Sequence, residues 1–165
     1  MKENPSVRIS LSPVLEAYCR WIFEVNNKSA IKIDRRHDIG KHIFANVSPS
    51  ERPCNRPMKN NIVEFILPLT EISKDYLRTN FLIVNAWQEQ MIQDFIDTNF
   101  RAWVRERFEI GYYKRLDQKM IIEAILRGLN LRNNTDNFDM IKKIDYRNRR
   151  RKEEIRFEAL LTYSI

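Results

Sequence analysis

The run RRHDIGKH sets Arg35, Arg36, His37, Asp38, Lys41 and His42 within eight residues. Imidazole and carboxylate are metal-ligand groups, but this spacing matches neither the i,i+4 pair of a helical metal site nor a relaxase pattern, so no metal is expected. Arg35, Arg36 and Lys41 suit a second phosphate-contact patch, because backbone contacts to nucleic acid are spread over loops as well as over a reading helix. The plainer reading of the run is a polar hairpin or turn around Gly40. Tyr112 and Tyr113 stand beside Lys114 and Arg115. A tyrosine nucleophile for DNA strand transfer also needs convergent basic groups around the phosphoryl transition state, and no spacing in the chain assembles them. One ring in the core and the other in solvent is the expected arrangement. An enzyme would need His37, Asp38 and a tyrosine to converge in a pocket; the chain is read as a non-enzyme with no catalytic residue and no cofactor.

The remaining concentration of chemistry is positive charge. Lys+Arg number 29 against 22 Asp+Glu, a net of +7. Residues 1–100 hold 13 basic and 12 acidic side chains, and 101–165 hold 16 and 10, so the excess is +1 and then +6. It is densest at 142–156, where Lys142, Lys143, Arg147, Arg149, Arg150, Arg151, Lys152 and Arg156 face only Asp145, Glu153 and Glu154. A polyanion is expected to be met there.

The frame that positions these groups is bounded by composition. At 165 residues, 43% hydrophobic and 31% charged, the chain suits one domain with a real core, with a strand-containing part over 1–72 and a helical part over 73–165. Three glycines exclude a Gly-rich phosphate cradle or dinucleotide fingerprint. Cys19 and Cys54 are too few for a disulfide framework or a zinc ribbon. The longest apolar stretch, Ile62 to Leu69, is interrupted by Glu64 and Pro68, and the opening MKENPSVRIS is not a signal peptide. A cytoplasmic setting and no membrane partner are expected.

Val7, Ile9 and Leu11 alternate with polar residues as a half-buried strand does. Ser12 as N-cap and Pro13 at the first helical position open a helix carrying Val14, Leu15, Tyr18, Ile22 and Val25, with Asn26 and Asn27 as its stop. Ile31 and Ile33 mark a second strand, 48–61 an irregular surface loop with three prolines, and Ile62 to Leu67 a third strand. From Ser73 onward neither Pro nor Gly occurs until Gly111. Leu77, Phe81, Val84, Trp87, Met91 and Phe95 form one helical stripe, and Phe100, Trp103, Val104 and Phe108 another, so a break is expected near Asp97, Thr98 and Asn99. Gly111 is expected to end the second helix. Trp21, Trp87 and Trp103 all fall on apolar stripes and are assigned to the core. Asp117 caps a further helix ending near Gly128, and Asp136 starts the last one.

That last helix places Phe138, Ile141, Ile144, Ile155 and Ala159 on one seam, with Asn148 and Lys152 in its middle; Lys143, Tyr146, Arg147, Arg150 and Glu154 lie opposite. Arg149 with Glu153 and Arg150 with Glu154 are candidate i,i+4 ion pairs. The stretch DQKMIIEAILRGLNLRNNTDNFDMIKKIDYRNRRRK, about a fifth of the chain, resembles the helix-turn-helix tails of small basic proteins from phages and mobile elements of gut bacteria. Its connection from Gly128 to Asp136 is longer than the ~3–4 residue turn of the tight motif. The resemblance implies DNA binding and a role in replication or transcription of a mobile element.

The reading is therefore an α+β domain with a small, mainly antiparallel sheet, one N-terminal helix and a helical C-terminal half ending in a helix-turn-helix-like pair. It binds nucleic acid, duplex DNA ahead of RNA, through Lys143, Tyr146, Arg147, Arg150 and Arg151, with Arg35 and Arg36 as a second patch. The alternative is a non-enzymatic interaction or assembly subunit, or a homodimer, using the aromatic helices. Exposure of Phe100, Trp103 and Phe108 discriminates between the two.

Overall fold

The computed structural model describes residues 5–53, 57, 61–69 and 81–162. They form an α+β protein with a helical C-terminal half, divided into two compact units, Met1–Thr98 and Asn99–Ile165.

In the first unit the expected alternation becomes strand β1, Ser6–Ser10, with Val7 and Ile9 buried and Arg8 exposed. Helix α1, Pro13–Ile22, begins where the residue types require: Ser12 Oγ accepts from the Leu15 N–H at 3.3 Å and Pro13 needs no amide partner. It stops at Ile22, so Val25 lies outside it, because Glu24 adopts a left-handed φ of 54° and the Val25 N–H turns back to the Arg20 carbonyl. Strand β2, Ile31–Lys32, follows.

The RRHDIGKH run is not a hairpin. It enters helix α2, Asp38–Ala45, whose N-cap is His37. The close packing that fixes this entry demands Gly40, since a Cβ there would lie 2.0 Å from the Asp34 carbonyl oxygen. The loop expected over 48–61 contains strand β3, Ser48–Ser50, and strand β4, Ile62–Ile66, matches the third strand. The helix expected from Ser73, with Leu77 on its stripe, falls partly outside the described residues, as does Cys54. Phe81–Ile83 is strand β5 rather than helix, and it pairs with β3 in an antiparallel ladder. β4 is the centre of a three-stranded sheet, antiparallel to β1 (Ile9 opposite Val63) and parallel to the short β2 (Ile31 opposite Phe65).

Helix α3, Ala86–Tyr113, runs unbroken through Asp97, Thr98 and Asn99. A reciprocal box opens it: Gln88 N–H donates to Asn85 Oδ1 at 2.8 Å and Asn85 N–H to Gln88 Oε1 at 3.0 Å. The expected break rested on a wrong apolar phase. Ile92 and Ile96 are buried, whereas Trp87 is 67% exposed and Met91 is also exposed. With the stripe begun on Ile92 and Ile96, Phe100, Val104 and Phe108 continue it at four-residue steps. The same inner face carries Glu89 and Gln93. Glu89 Oε1 accepts the Ser10 N–H at 2.7 Å and Gln93 Nε2 donates to the Ser10 carbonyl at 2.5 Å, so two side chains one turn apart satisfy the end of edge strand β1. Trp21 is likewise exposed at the surface, stacked on Tyr18, instead of in the core.

In the second unit Gly111 lies inside α3, where a Cβ would meet the Ile121 side chain at 2.5 Å. The stop comes later, at Arg115, whose φ is 59° and which lets the Leu116 N–H reach the Gly111 carbonyl at 3.0 Å. Asp117 caps helix α4, Gln118–Gly128, by accepting from Met120 N–H at 2.8 Å. Helix α5, Thr135–Thr162, starts one residue before Asp136 and is capped by Asn134 Oδ1, which accepts the Asn137 N–H at 2.9 Å. Ile121, Ile122, Ile125, Leu126, Ile141 and Ile144 are buried where α4 packs on α5, and Phe100, Val104 and Phe108 of α3 are buried in the same unit.

Candidate nucleic-acid interface

Only the first half of α5 is packed. Ile141, Ile144 and Asp145 are buried, but every residue from Arg149 to Thr162 is exposed. Ile155 and Ala159, expected on a packed seam, therefore face solvent, because α4 at 11 residues is far shorter than the 28 of α5. The basic stretch begins inside the packed half and runs out onto the free one.

Lys143, Tyr146, Arg147, Arg150 and Arg151 are all exposed and share this helix. Their electrostatic states differ. Arg150 Nε is bound to Glu154 Oε1 at 3.1 Å, as its spacing predicts. Arg149 does not take Glu153; it turns back one helical turn to Asp145 Oδ2 at 3.1 Å. Asp145 is 1% exposed, and a buried carboxylate attracts a guanidinium far more strongly than a solvated glutamate does. Lys152 pairs with Glu109 of α3 at 2.5 Å. Lys142, Lys143, Arg147, Arg151 and Arg156 enter no ion pair among the described residues. Three of them, Lys143, Arg147 and Arg151, stand at i, i+4 and i+8, a single ridge of like charge with Tyr146 and Arg150 alongside.

Sequence reasoning missed the importance of Asp145. Its signal was present: it stands four residues after Ile141, on the seam of an otherwise apolar helix face. Besides Arg149, Asp145 Oδ2 accepts the Tyr112 hydroxyl and the Gln118 amide, each at 2.7 Å. Burial, then the bond to Asp145, pushes the Tyr112 phenol up to about 12 from 10.0. Tyr113 is 90% exposed. Neither ring lies in the core, where one was expected: Tyr112 is 37% exposed and is held by its hydroxyl on Asp145, and Tyr113 lies in water.

Arg35 and Arg36 belong to the first unit, in the turn before α2. The Arg35 guanidinium lies 4.7 Å from the centre of the Phe44 ring, and Arg36 carries no ion pair among the described residues. The histidine nitrogens nearby have structural roles. His37 Nδ1 accepts the Ile39 N–H at 3.2 Å, and the His42 ring stacks on Phe95 at 4.1 Å with Nε2 3.3 Å from the Met91 carbonyl. Among the described residues no three His, Cys, Asp or Glu side chains group as metal ligands, and no helix is long and apolar enough to cross a membrane.

Compared with protein-family models, with curated proteins and with solved structures, the chain matches none.

Proposed function

We propose that the protein binds duplex DNA, without catalysing a reaction on it, through the exposed cationic side of α5. The observation that carries this reading is the unpaired ridge of Lys143, Arg147 and Arg151. Like charges at i,i+4 destabilise a helix by a few tenths of a kcal/mol per pair, and a polyanion converts that repulsion into binding. Arg147 and Arg150 add forked donors suited to phosphates and to guanine edges, and Tyr146 adds a ring beside them. The α4–α5 stretch also resembles helix-turn-helix tails of mobile-element proteins, which supports a cytoplasmic role in replication or transcription of such an element.

The test is a fluorescence-anisotropy titration with random duplex DNA, single-stranded DNA and RNA at two salt concentrations, beside Lys143→Ala/Arg147→Ala/Arg151→Ala. Neutralising about five phosphates gives a slope of log affinity on log salt near −4 to −5, and the triple variant flattens it by about 2 to 3. Salt-insensitive binding, or binding unchanged in a folded triple variant, overturns the assignment.

Partner docking is the second reading, and its support has moved. Phe100 and Phe108 are covered within the chain and Trp103 is half-buried, so the three offer no exposed patch; the exposed Ile155, Phe157 and Leu161 at the end of α5 favour it instead. A mass measurement by light scattering that rises with concentration, and falls with Phe157→Glu, is its expected signature.

A further inference from the structure

Between the end of α1 and the start of α2, within the first unit, lies an open cavity of about 400 Å³. Ile22, Phe23 and Glu24 form one wall; Lys32 at the end of β2 and Asp34, Arg36 and His37 form the other. Glu24, Lys32, Asp34 and Arg36 are exposed at its rim, and four features of this lining bear on what it holds. Lys32 and Arg36 line it with no ion pair among the described residues, although Glu24 and Asp34 stand in the same cavity. Asp34 is turned to its own backbone, its Oδ1 accepting the Arg36 N–H at 2.8 Å. His37 Nδ1 accepts from Ile39, so the neutral ring keeps its proton on Nε2 and offers a donor there. Glu24 holds a carboxylate at a left-handed position, φ 54°, where glycine is the unstrained residue.

We infer that this cavity binds a nucleoside monophosphate. Lys32, Arg36 and the His37 Nε2–H are donors for a phosphate; the Glu24 carboxylate is an acceptor for sugar hydroxyls; Phe23, already edge-on to His37 at 5.6 Å, and Ile22 supply apolar surface for a base. The inference stands apart from the α5 reading, whose residues it does not use.

Isothermal titration of the full chain with the four common nucleoside 5′-monophosphates, with adenosine and with inorganic phosphate tests it. Saturable one-to-one binding of at least one monophosphate is expected, tighter than adenosine or inorganic phosphate by about tenfold or more. Arg36→Ala weakens monophosphate and inorganic phosphate alike. Glu24→Gly, which suits the backbone at that position and so preserves the fold, weakens the monophosphate by about tenfold and does not weaken inorganic phosphate, which loses only a neighbouring negative charge. The Lys143→Ala/Arg147→Ala/Arg151→Ala variant binds the monophosphate as the parent does. No saturable binding, binding indifferent to Glu24→Gly, or binding lost with the α5 cations overturns the inference; the last outcome returns the anion to the helix.

Discussion

The Tyr112 hydroxyl donates to Asp145 Oδ2 at 2.7 Å, across 33 positions of sequence, and so ties the end of α3 to the middle of α5. Gln118 in the first turn of α4 donates to the same oxygen at 2.7 Å, and the Arg149 guanidinium closes the group from α5 itself. One buried carboxylate thus gathers donors from all three helices of the second unit. It also pairs Arg149, whereas Lys143, Arg147 and Arg151 enter no ion pair among the described residues.

Removing the centre of this group costs more than removing one arm. Asp145→Ala strands the Tyr112 hydroxyl and the Gln118 amide and is expected to destabilise by about 3 kcal/mol, whereas Tyr112→Phe costs about 1 kcal/mol. Urea unfolding monitored by circular dichroism separates them, and equal losses would refute the hierarchy.

Tyr112 also makes stability depend on alkaline pH. Its folded pKa is raised to about 12 from 10.0, by burial first and by Asp145 second, so the folded chain keeps the proton that the unfolded chain releases. The contribution is therefore whole below pH 10 and declines as pH rises from 10 towards 12. Phenolate absorbance should show one late-titrating tyrosine that disappears in Tyr112→Phe.

Two glycines should respond differently to alanine. At Gly40 the new Cβ meets backbone, the Asp34 carbonyl oxygen at 2.0 Å, so α2 or its entry must move, at a cost of about 2–4 kcal/mol. At Gly111 it meets Cγ1 and Cδ1 of the buried Ile121 side chain, each at 2.5 Å, so a side chain and not backbone must repack, while the helix gains about 0.5–1 kcal/mol from losing a mid-helix glycine. Gly111→Ala is expected to cost distinctly less, by the same unfolding measurement.

Arg115 occupies a left-handed position without glycine's freedom. Arg115→Gly is expected to stabilise by up to about 1 kcal/mol, and a lowered unfolding midpoint would show that the side chain has a role beyond closing α3.

Cys19 is buried at 0% exposure, and burial pushes its thiol up to about 12 from 9.0. In a Cys54→Ser background a thiol reagent should label Cys19 only as fast as the protein unfolds, and rapidly once denaturant is added. Fast labelling of the native chain would contradict its burial.

Much of this molecule was written in short-range pattern. Ser12 before Pro13 and Asp117 three residues before Met120 become the caps they suggest, and the alternation of Val7 and Ile9 becomes β1. The exposure of Lys143, Tyr146, Arg147, Arg150 and Arg151 follows from helical spacing alone. Errors arose where two answers are locally equivalent. Trp87, Met91 and Phe95 make as good a helical stripe as Ile92 and Ile96 do, and side-chain size favoured the wrong one.

Sequence alone determined the starts of α1 and α4, the alternating strand β1 and the placement of the charge excess after residue 100, because these depend on neighbours one to four positions apart. Tertiary structure decided the rest. Ser10, 79 positions from Glu89 and 83 from Gln93, selected the inner face of α3; β5 made a strand partner of Ser48–Ser50; and buried Asp145 drew Arg149 away from Glu153. Each of these choices is set by a partner distant in the chain, whose burial or unsatisfied hydrogen bond outweighs the few tenths of a kcal/mol by which local alternatives differ.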